Sequence, residues 1–126
     1  MTLYSGDKVL HQYKVALGDP KGPKREQGDR KTPEGVYFVD SKNAHSLFHL
    51  ALHLSYPNAQ DRARAAAEHV NPGGDVEIHG LSNQFAYLGK LQSSVDWTTG
   101  CIAVSNAEIE EIWKLVPVGT KVEILP

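Results

Sequence analysis

The residues of this chain that could do chemistry are its single cysteine, Cys101, and a histidine, His79, that ends a short apolar segment. A cysteine attacks as the thiolate, and at its ordinary pKa of about 8.5 only a small fraction is ionised at neutral pH. Such a nucleophile needs a base, and histidine titrates in the right range. The pair predicts a cysteine acyl-transfer site with Cys101 as nucleophile and His79 as base.

Two glycines adjoin these residues and could complete the site. The carbonyl of Gly80, unobstructed by a side chain, could accept the second ring N–H of His79 and fix its tautomer. Gly100 lets the backbone beside Cys101 approach a substrate closely, so that neighbouring N–H groups could stabilise an oxyanion. One such donor is worth roughly a hundredfold or more in rate.

Both residues also have ordinary structural interpretations. A lone cysteine is often a small buried hydrophobe, and the following Ile102-Ala103-Val104 would suit a core position. A histidine after an apolar strand is usually structural, and six histidines offer many Cys–His pairs. The isolated chemistry therefore leaves the role of Cys101 open.

Three other histidines, His45, His49 and His53, recur every four residues and on a helix would form one face, a plausible zinc site. The residues of 44–54, however, alternate with the period of a strand. On one strand His45 and His53 would lie about 26 Å apart, too far to share an ion. The pattern favours the strand, and a zinc protein stays a rival interpretation.

The elements that must position these residues are mostly strands. The first residues predict a hairpin, with a strand at Thr2-Leu3-Tyr4, a turn at Ser5-Gly6-Asp7 and a strand from Val9 to Leu17. Gly and Pro punctuate 18–35, which predicts loops. Val36-Tyr37-Phe38-Val39 then predicts a buried strand.

The middle of the chain holds the segment that leads to His79. A short, mostly exposed helix is predicted over Asp61–His69, followed by a turn at Asn71-Pro72-Gly73-Gly74. A strand from Val76 to His79 comes next. Residues 81–100 show weak periodicity and predict a long loop, which is unusual enough to suggest function.

The last quarter predicts a helix and a final strand. Ser105 with Glu108 three residues later forms a capping-box pattern. Thr120 to Leu125 predicts the final strand. The whole chain is thus expected to be a single mainly β domain, 1–126, with two short helices. The helix after Ser105 has an apolar face made of Ile109, Ile112, Trp113 and Val116.

The composition of the chain argues against two classes of protein, nucleic-acid binders and membrane-spanning proteins. The 126 residues carry a formal net charge of −2, with 40% hydrophobic and 22% charged residues, as in an ordinary globular domain. A nucleic-acid binder would need a basic stripe, and no apolar run reaches the length of a membrane span. The first residues lack the pattern of a signal peptide, which is expected of a cytoplasmic protein or of a mature or truncated form.

The motifs around the two residues resemble the L,D-transpeptidase catalytic domain family, the YkuD-like domains. The resemblance is carried by Ile78-His79-Gly80 and by the segment from Asp96 to Asn106, which contains Thr98-Thr99-Gly100-Cys101. Many members of the family have histidine where this chain has Thr99. Further stretches match in order along nearly the whole chain: Gly22-Pro23-Lys24, Gly28-Asp29, Thr32-Pro33-Glu34-Gly35, Ser55-Tyr56-Pro57-Asn58, Pro72-Gly73-Gly74 and Val118-Gly119-Thr120.

The resemblance implies a β-sandwich or barrel around a cysteine nucleophile, without metal or organic cofactor. Cys101 would be the nucleophile, His79 the base, and the Gly80 carbonyl its orienting group, with an oxyanion hole of N–H groups around Gly100 and Cys101. The implied substrates are peptidoglycan stem peptides, attacked at the carbonyl of an L-configured third residue. The implied location is the periplasm or the cell wall.

The same thioester could serve several outcomes. It could pass to another stem peptide or to water, and a related amidase would release a diaminopimelate-linked lipoprotein. A wall-attacking effector or a non-enzymatic wall-binding module are further alternatives. Candidate substrate-binding residues are Trp97, Thr98, Thr99, Arg30 and Tyr87, with Lys24, Ser82, Asn83 and His53 as further candidates.

Overall fold

The computed structural model describes residues 1–126, and five of its seven strands form one sheet in the order β6-β5-β4-β3-β7. All neighbours in this sheet are antiparallel except β5 and β6, which run parallel. In chain order the elements are β1 (Thr2–Ser5), β2 (Lys8–Gln12), β3 (Gly35–Ser46), β4 (His49–Leu54), α1 (Ala59–Ala67), β5 (Glu77–His79), a 3-10 segment (Ala86–Ser94), β6 (Ile102–Ala103), α2 (Asn106–Leu115) and β7 (Lys121–Ile124).

The N-terminal hairpin is confirmed, since β1 and β2 pair antiparallel. Its second strand ends at Gln12 rather than at Leu17. The chain beyond it still contributes to the sheet, because Ala16 exchanges two backbone hydrogen bonds with Ala103 on β6. This bridge covers the free side of β6, which would otherwise be an open edge.

The strand character predicted for 44–54 is confirmed, but the prediction of a single strand is wrong. The chain reverses at Leu47 and Phe48, and β3 and β4 pair as a hairpin. Both strands of the hairpin alternate apolar and polar residues with a period of two. The alternation continues across the turn, so the sequence does not show where the chain reverses. The separation expected for His45 and His53 on one strand therefore does not apply.

Both helices begin at a capping box. The box predicted at Ser105 and Glu108 is confirmed at the start of α2. α1 begins at Ala59, two residues before the predicted Asp61, because the side chain of Asn58 accepts from the amide of Asp61. Each box satisfies two backbone N–H groups that the helix leaves without an internal partner.

The prediction of a long loop over 81–100 is wrong in part. A 3-10 segment occupies Ala86–Ser94 and is kinked at Gly89, whose φ of 52° and ψ of −133° lie outside the helical region. The kink interrupts the helical period, which explains the weak pattern in the sequence.

One face of the sheet, together with α2, forms the core. Burial of each large aliphatic side chain contributes about 1.5–3 kcal/mol. This packing leaves the opposite face of β4, β5 and β6 for polar side chains, because residues alternate across a strand. The core cluster contains Tyr13, Tyr37, Val39, Leu52, Leu54, Tyr56, Val76, Ile78, Ile102, Val104, Ile109, Ile112 and Val116.

The predicted mainly β architecture is confirmed, with a 3-10 segment in addition to the two helices. None of the helices is long and apolar enough to span a membrane.

Candidate active site

The sheet register brings His79 and Cys101 to one face of two neighbouring strands. β5 and β6 pair Ile78 with Ile102 and His79 with Ala103. Cys101 stands immediately before β6, so the alternation, continued by one residue, puts it on the face of Ala103 and His79. The parallel pairing of two very short strands thus joins residues that are 22 positions apart in the sequence.

His79 is held in one tautomer. Its Nδ1 lies 2.7 Å from the carbonyl oxygen of Gly80, which can only accept, so Nδ1 carries the proton and Nε2 is left as the basic nitrogen. The ring is 2% exposed. Burial lowers the pKa of His79, against the hydrogen bond to Gly80, which raises it. The imidazole is therefore neutral at pH 7.

Two aromatic side chains enclose the imidazole of His79. Phe48 stacks on it, with ring centroids 4.3 Å apart and an interplanar angle of 23°. Trp97 meets it edge-on at 6.2 Å. These contacts desolvate the ring and fix its plane.

The thiol of Cys101 is partly buried and donates to the backbone carbonyl of Asp75, with 3.6 Å between Sγ and oxygen. Burial raises the pKa of the Cys101 thiol, a hydrogen bond from the backbone of Glu77 lowers it, and the negative charges of Glu77 and Asp75 raise it. No hydrogen bond joins the thiol to His79. The resting thiol is therefore protonated, and its hydrogen bond goes to Asp75 and not to His79.

The 96–101 loop is shaped by the hydroxyl of Thr98. Its Oγ1 donates to the carbonyl of Cys101 over 2.7 Å and accepts from the amide of Gly100 over 3.2 Å. The amide of Thr98 donates to Leu17. The Gly100 N–H is thus engaged, whereas the N–H of Cys101 donates to no group of the protein.

The 28–32 loop presses against the 96–101 loop from behind. Gly100 has a φ of 129°, and a Cβ added there would lie 2.6 Å from the carbonyl oxygen of Lys31. Gly18 is equally confined, between the carbonyl of Arg30 and the backbone of Gly100. Glycine at both positions is therefore required by close backbone packing.

One carboxylate organises the 28–32 loop. Asp29 accepts hydrogen bonds from the Lys24 ammonium (3.1 Å) and from the amides of Arg25, Glu26 and Lys31 (2.8, 3.1 and 3.1 Å). Burial by itself would raise the pKa of Asp29, but these donors lower it to about 2. The carboxylate is ionised at every physiological pH.

Gly80, whose carbonyl accepts the hydrogen bond of His79, is also closely packed on its Cα side. A Cβ there would lie 2.6 Å from Oδ1 of Asn106, 2.9 Å from Ile109 and 3.0 Å from the carbonyl of Phe48. The same Oδ1 accepts the amide of Leu81 over 2.7 Å. The first turn of α2 therefore fixes the backbone that orients the imidazole.

The structure brings some of the predicted substrate-binding residues to the site. Trp97 contacts His79, Thr98 and Thr99 adjoin Cys101, and Thr99 is exposed. Arg30 is exposed, and its guanidinium makes no ion pair or hydrogen bond. Tyr87 is 80% exposed on the 3-10 segment, and no polar contact ties it to the site. Their roles toward a substrate stay predictions.

Of the further candidates, Lys24 is not free to bind a substrate carboxylate, because its side chain is 7% exposed and its ammonium pairs with Asp29. His53 is bound on both ring nitrogens, to Asp40 (2.7 Å) and Asp75 (3.3 Å). Ser82 and Asn83 lie in the bend after Gly80, partly buried and exposed respectively.

Two of the three histidines considered for zinc, His49 and His53, bind carboxylates instead. Nε2 of His49 lies 2.9 Å from Glu110, and His53 lies between Asp40 and Asp75. No group of three His, Cys, Asp or Glu side chains is arranged to hold a metal ion.

Sequence reasoning missed four residues that shape the site. Phe48 covers His79, Asn106 holds the backbone after it, and Asp75 and Glu77 surround the thiol. For Asp75 and Glu77 the sequence did hold a signal. They alternate with apolar residues and share this alternation with His79, which predicts that all three lie on one face of the strand ending at His79. Phe48 carried no such signal, because its place depends on the unforeseen turn.

The chain matches the family model of the L,D-transpeptidase catalytic domain, YkuD, over residues 1–124. It belongs to the L,D-transpeptidase catalytic domain family. A relative in Escherichia coli (strain K12), "Putative L,D-transpeptidase YafK", is 32% identical over an alignment of 112 residues that covers 86% of this chain and 38% of that protein. The recognition of the family from the sequence is thereby confirmed.

Solved structures agree with this L,D-transpeptidase fold. The helical cell shape determining protein Pgp2 from Campylobacter jejuni has a TM-score of 0.69 and 27% identity, covering 95% of this chain and 41% of its own. An L,D-transpeptidase from Mycobacterium smegmatis has a TM-score of 0.62 over 99% of this chain and 53% of its own, and at 16% identity supports the fold alone. This chain spans about two-fifths of the length of YafK and Pgp2.

Proposed function

We propose that this L,D-transpeptidase-family chain transfers acyl groups of peptidoglycan stem peptides through a thioester on Cys101, as an L,D-transpeptidase or L,D-carboxypeptidase. The observation that carries the proposal is the hydrogen bond from His79 Nδ1 to the Gly80 carbonyl. It leaves the basic Nε2 of a neutral, buried imidazole on the sheet face that also carries the only thiol of the chain.

The reaction begins when the Cys101 thiol turns from the Asp75 carbonyl toward His79. His79 Nε2 takes the thiol proton as Sγ attacks the carbonyl carbon of the third stem residue. The new oxyanion accepts a hydrogen bond from the backbone N–H of Cys101. The backbone N–H of Thr99, which also donates to no protein group, is a second donor for it. Donors that are fixed before the reaction stabilise the developing charge without reorganising.

The tetrahedral intermediate then collapses. The C–N bond to the terminal D-alanine breaks, and protonated His79 gives its proton to the leaving amine. This leaves a thioester on Cys101 and a neutral imidazole. An amine of a second stem peptide or a water molecule then attacks the thioester, and His79 again takes and returns the proton.

The protonation states support base-assisted attack rather than a preformed ion pair. Burial raises the pKa of the Cys101 thiol and lowers that of His79, so both groups are neutral at rest. Proton transfer then accompanies attack on the substrate, and the thiol is less exposed to oxidation between turnovers.

The other outcomes of the same chemistry remain within the proposal. An amidase would attack where diaminopimelate is linked to a lipoprotein, and a wall-attacking effector would act on the walls of other cells. All of them place the chain in the periplasm or at the cell wall. A wall-binding module without activity would have no need for a fixed tautomer at His79 beside a thiol.

The first test is mass analysis of disaccharide-tetrapeptides incubated with the wild-type chain and with Cys101→Ala. The wild type should release D-alanine or form cross-linked dimers, and Cys101→Ala should form neither product. A His79→Ala variant with an unchanged melting temperature should lose at least about a hundredfold in turnover. Turnover that persists in Cys101→Ala would refute the proposal.

A second substrate separates the alternatives. If tetrapeptides are unchanged but a muropeptide with a lipoprotein-derived lysine is cleaved, the chain is the amidase of this set. If neither changes and no acyl adduct forms on Cys101, the wall-binding interpretation replaces the enzyme.

A further inference from the structure

A carboxylate without a partner stands beside the thiol of Cys101. On β4 and β5 the register pairs His53 with Glu77, and both lie on the face that carries His79. Since Ile78 pairs with Ile102, the next position back along both strands sets Glu77 beside Cys101. His53, Glu77 and Cys101 thus form one row across three segments.

Glu77 differs from the neighbouring acids in having no donor. Asp40 and Asp75 each bind a ring nitrogen of His53, whereas the Glu77 carboxylate makes no hydrogen bond and no ion pair. Its side chain is partly buried. A carboxylate that has lost part of its water and gained no donor is unfavourable in the free protein, and a cation would restore what it lost.

The surroundings add to this preference for a cation. His53 is the cationic group whose charge acts on Glu77, and it is already bound by two carboxylates. Burial and the charge of Asp75 raise the pKa of Glu77, while the charge of His53 lowers it. Lys24, the other nearby cation, is bound by Asp29. The charge beside the thiol therefore stays negative until a ligand brings a positive group.

We propose that Glu77 determines substrate specificity by binding an ammonium group on the side chain of the residue whose carbonyl Cys101 attacks. The proposal rests on the proposed function and names what that site recognises. Neighbouring strands lie about 4.8 Å apart, a span that the side chain of a diamino acid covers. A neutral side chain would leave Glu77 unpaired, and an anionic one would be repelled.

The test compares a disaccharide-tetrapeptide having diaminopimelate as its third residue with the same molecule N-acetylated on its free side-chain amine. Acetylation removes the positive charge and leaves the scissile bond unchanged. The readout is release of D-alanine to water, so that the amine is not also needed as acceptor. Wild-type kcat/KM should fall at least about tenfold on acetylation, as expected for one charge-assisted hydrogen bond.

The kcat/KM of Glu77→Gln for the peptide with the free amine should be lower than that of the wild type by the same factor. Acetylation of the amine should not change the kcat/KM of this variant. Glu77→Asp should keep a weaker preference. Glu110→Gln, which removes an exposed carboxylate on α2 that binds His49, is the matched control and should keep the wild-type ratio. Alkylation of Cys101 reports on folding, and it should be as fast or faster in Glu77→Gln, because a negative charge beside the thiol is gone.

The outcomes separate this inference from the function on which it rests. If the wild type turns over both peptides equally, or if Glu77→Gln keeps the wild-type preference, Glu77 does not bind the amine and the enzyme function stands. If the wild type turns over neither peptide, the carboxypeptidase and transpeptidase functions fail and the inference fails with them.

Discussion

At the scale of single residues, the proposed mechanism depends on two neutral groups, His79 and Cys101, that become charged only together. Burial disfavours the imidazolium of His79 and the thiolate of Cys101 alike, so neither ionises readily alone. When the proton moves between them, the two new charges stabilise each other at short range. The hydrogen bond to the Gly80 carbonyl further stabilises the imidazolium, since it donates from Nδ1.

This protonation pattern predicts two separate pH dependences. The proposed mechanism requires neutral His79, and because the pKa of His79 is lowered, kcat/KM for D-alanine release should decline only below about pH 6.5, the ordinary histidine value. The thiol pKa is raised, so the rate of alkylation by iodoacetamide should still be increasing above about pH 8.5. Rate measurements from pH 5 to 10 check both. An alkylation rate that is already at its plateau at pH 6 would instead indicate a preformed ion pair.

At the scale of elements, the sequence predicted the strands and helices whose signals are local. Alternation located the strand ending at His79, and Ser105 with Glu108 located the start of α2. The turn at Leu47 and Phe48 was missed because two paired strands repeat one period. The pairing of β5 with β6 joins segments of three and two residues, too short for any pattern to reveal.

The contact between the 28–32 and 96–101 loops gives a prediction at this scale. Gly100→Ala puts a Cβ against the Lys31 carbonyl and should displace Cys101, lowering kcat/KM by at least about tenfold. Gly119→Ala is the matched control, since Gly119 also has a positive φ, 96°, but open space around its Cα. The control should cost about 1–2 kcal/mol of stability and leave kcat/KM unchanged.

Kinetics and thermal unfolding of both variants make the comparison. Equal losses of activity in Gly100→Ala and Gly119→Ala would mean that backbone strain, rather than the Lys31 contact, accounts for the effect at Gly100.

At the scale of the whole molecule, the two faces of the five-stranded sheet differ: one forms the core and the other carries the candidate site. The face that packs with α2 holds the apolar cluster, and the other face carries His53, Glu77 and His79. Alternation along the chain predicted a mainly β domain, and the motifs predicted this family, because both signals are read from the sequence alone. They could not predict which acids reach the thiol, because that follows from the register between strands.

Stability to acid is the property of the whole molecule that the structure predicts most directly. Asp29 has a pKa of about 2 in the folded chain, against about 3.9 when unfolded, so folding is favoured where the carboxylate is ionised. This stabilisation, about 2 kcal/mol, is fully present above pH 4 and is lost as the pH falls through 2. The stability of the fold therefore depends on the 28–32 loop, which packs against the loop that carries Cys101. The Asp29 carboxylate of this loop also neutralises the buried Lys24.

Asp29→Asn should therefore lower the free energy of unfolding by about 2 kcal/mol or more at pH 7. The difference from the wild type should shrink between pH 4 and pH 2, because the wild-type carboxyl becomes neutral as well. Urea unfolding at a series of pH values measures it, with Asp7→Asn, an exposed residue of the first hairpin turn, as the control that should match the wild type throughout. A difference that stayed constant down to pH 2 would mean that Asp29 stabilises the 28–32 loop by its shape and not by its charge.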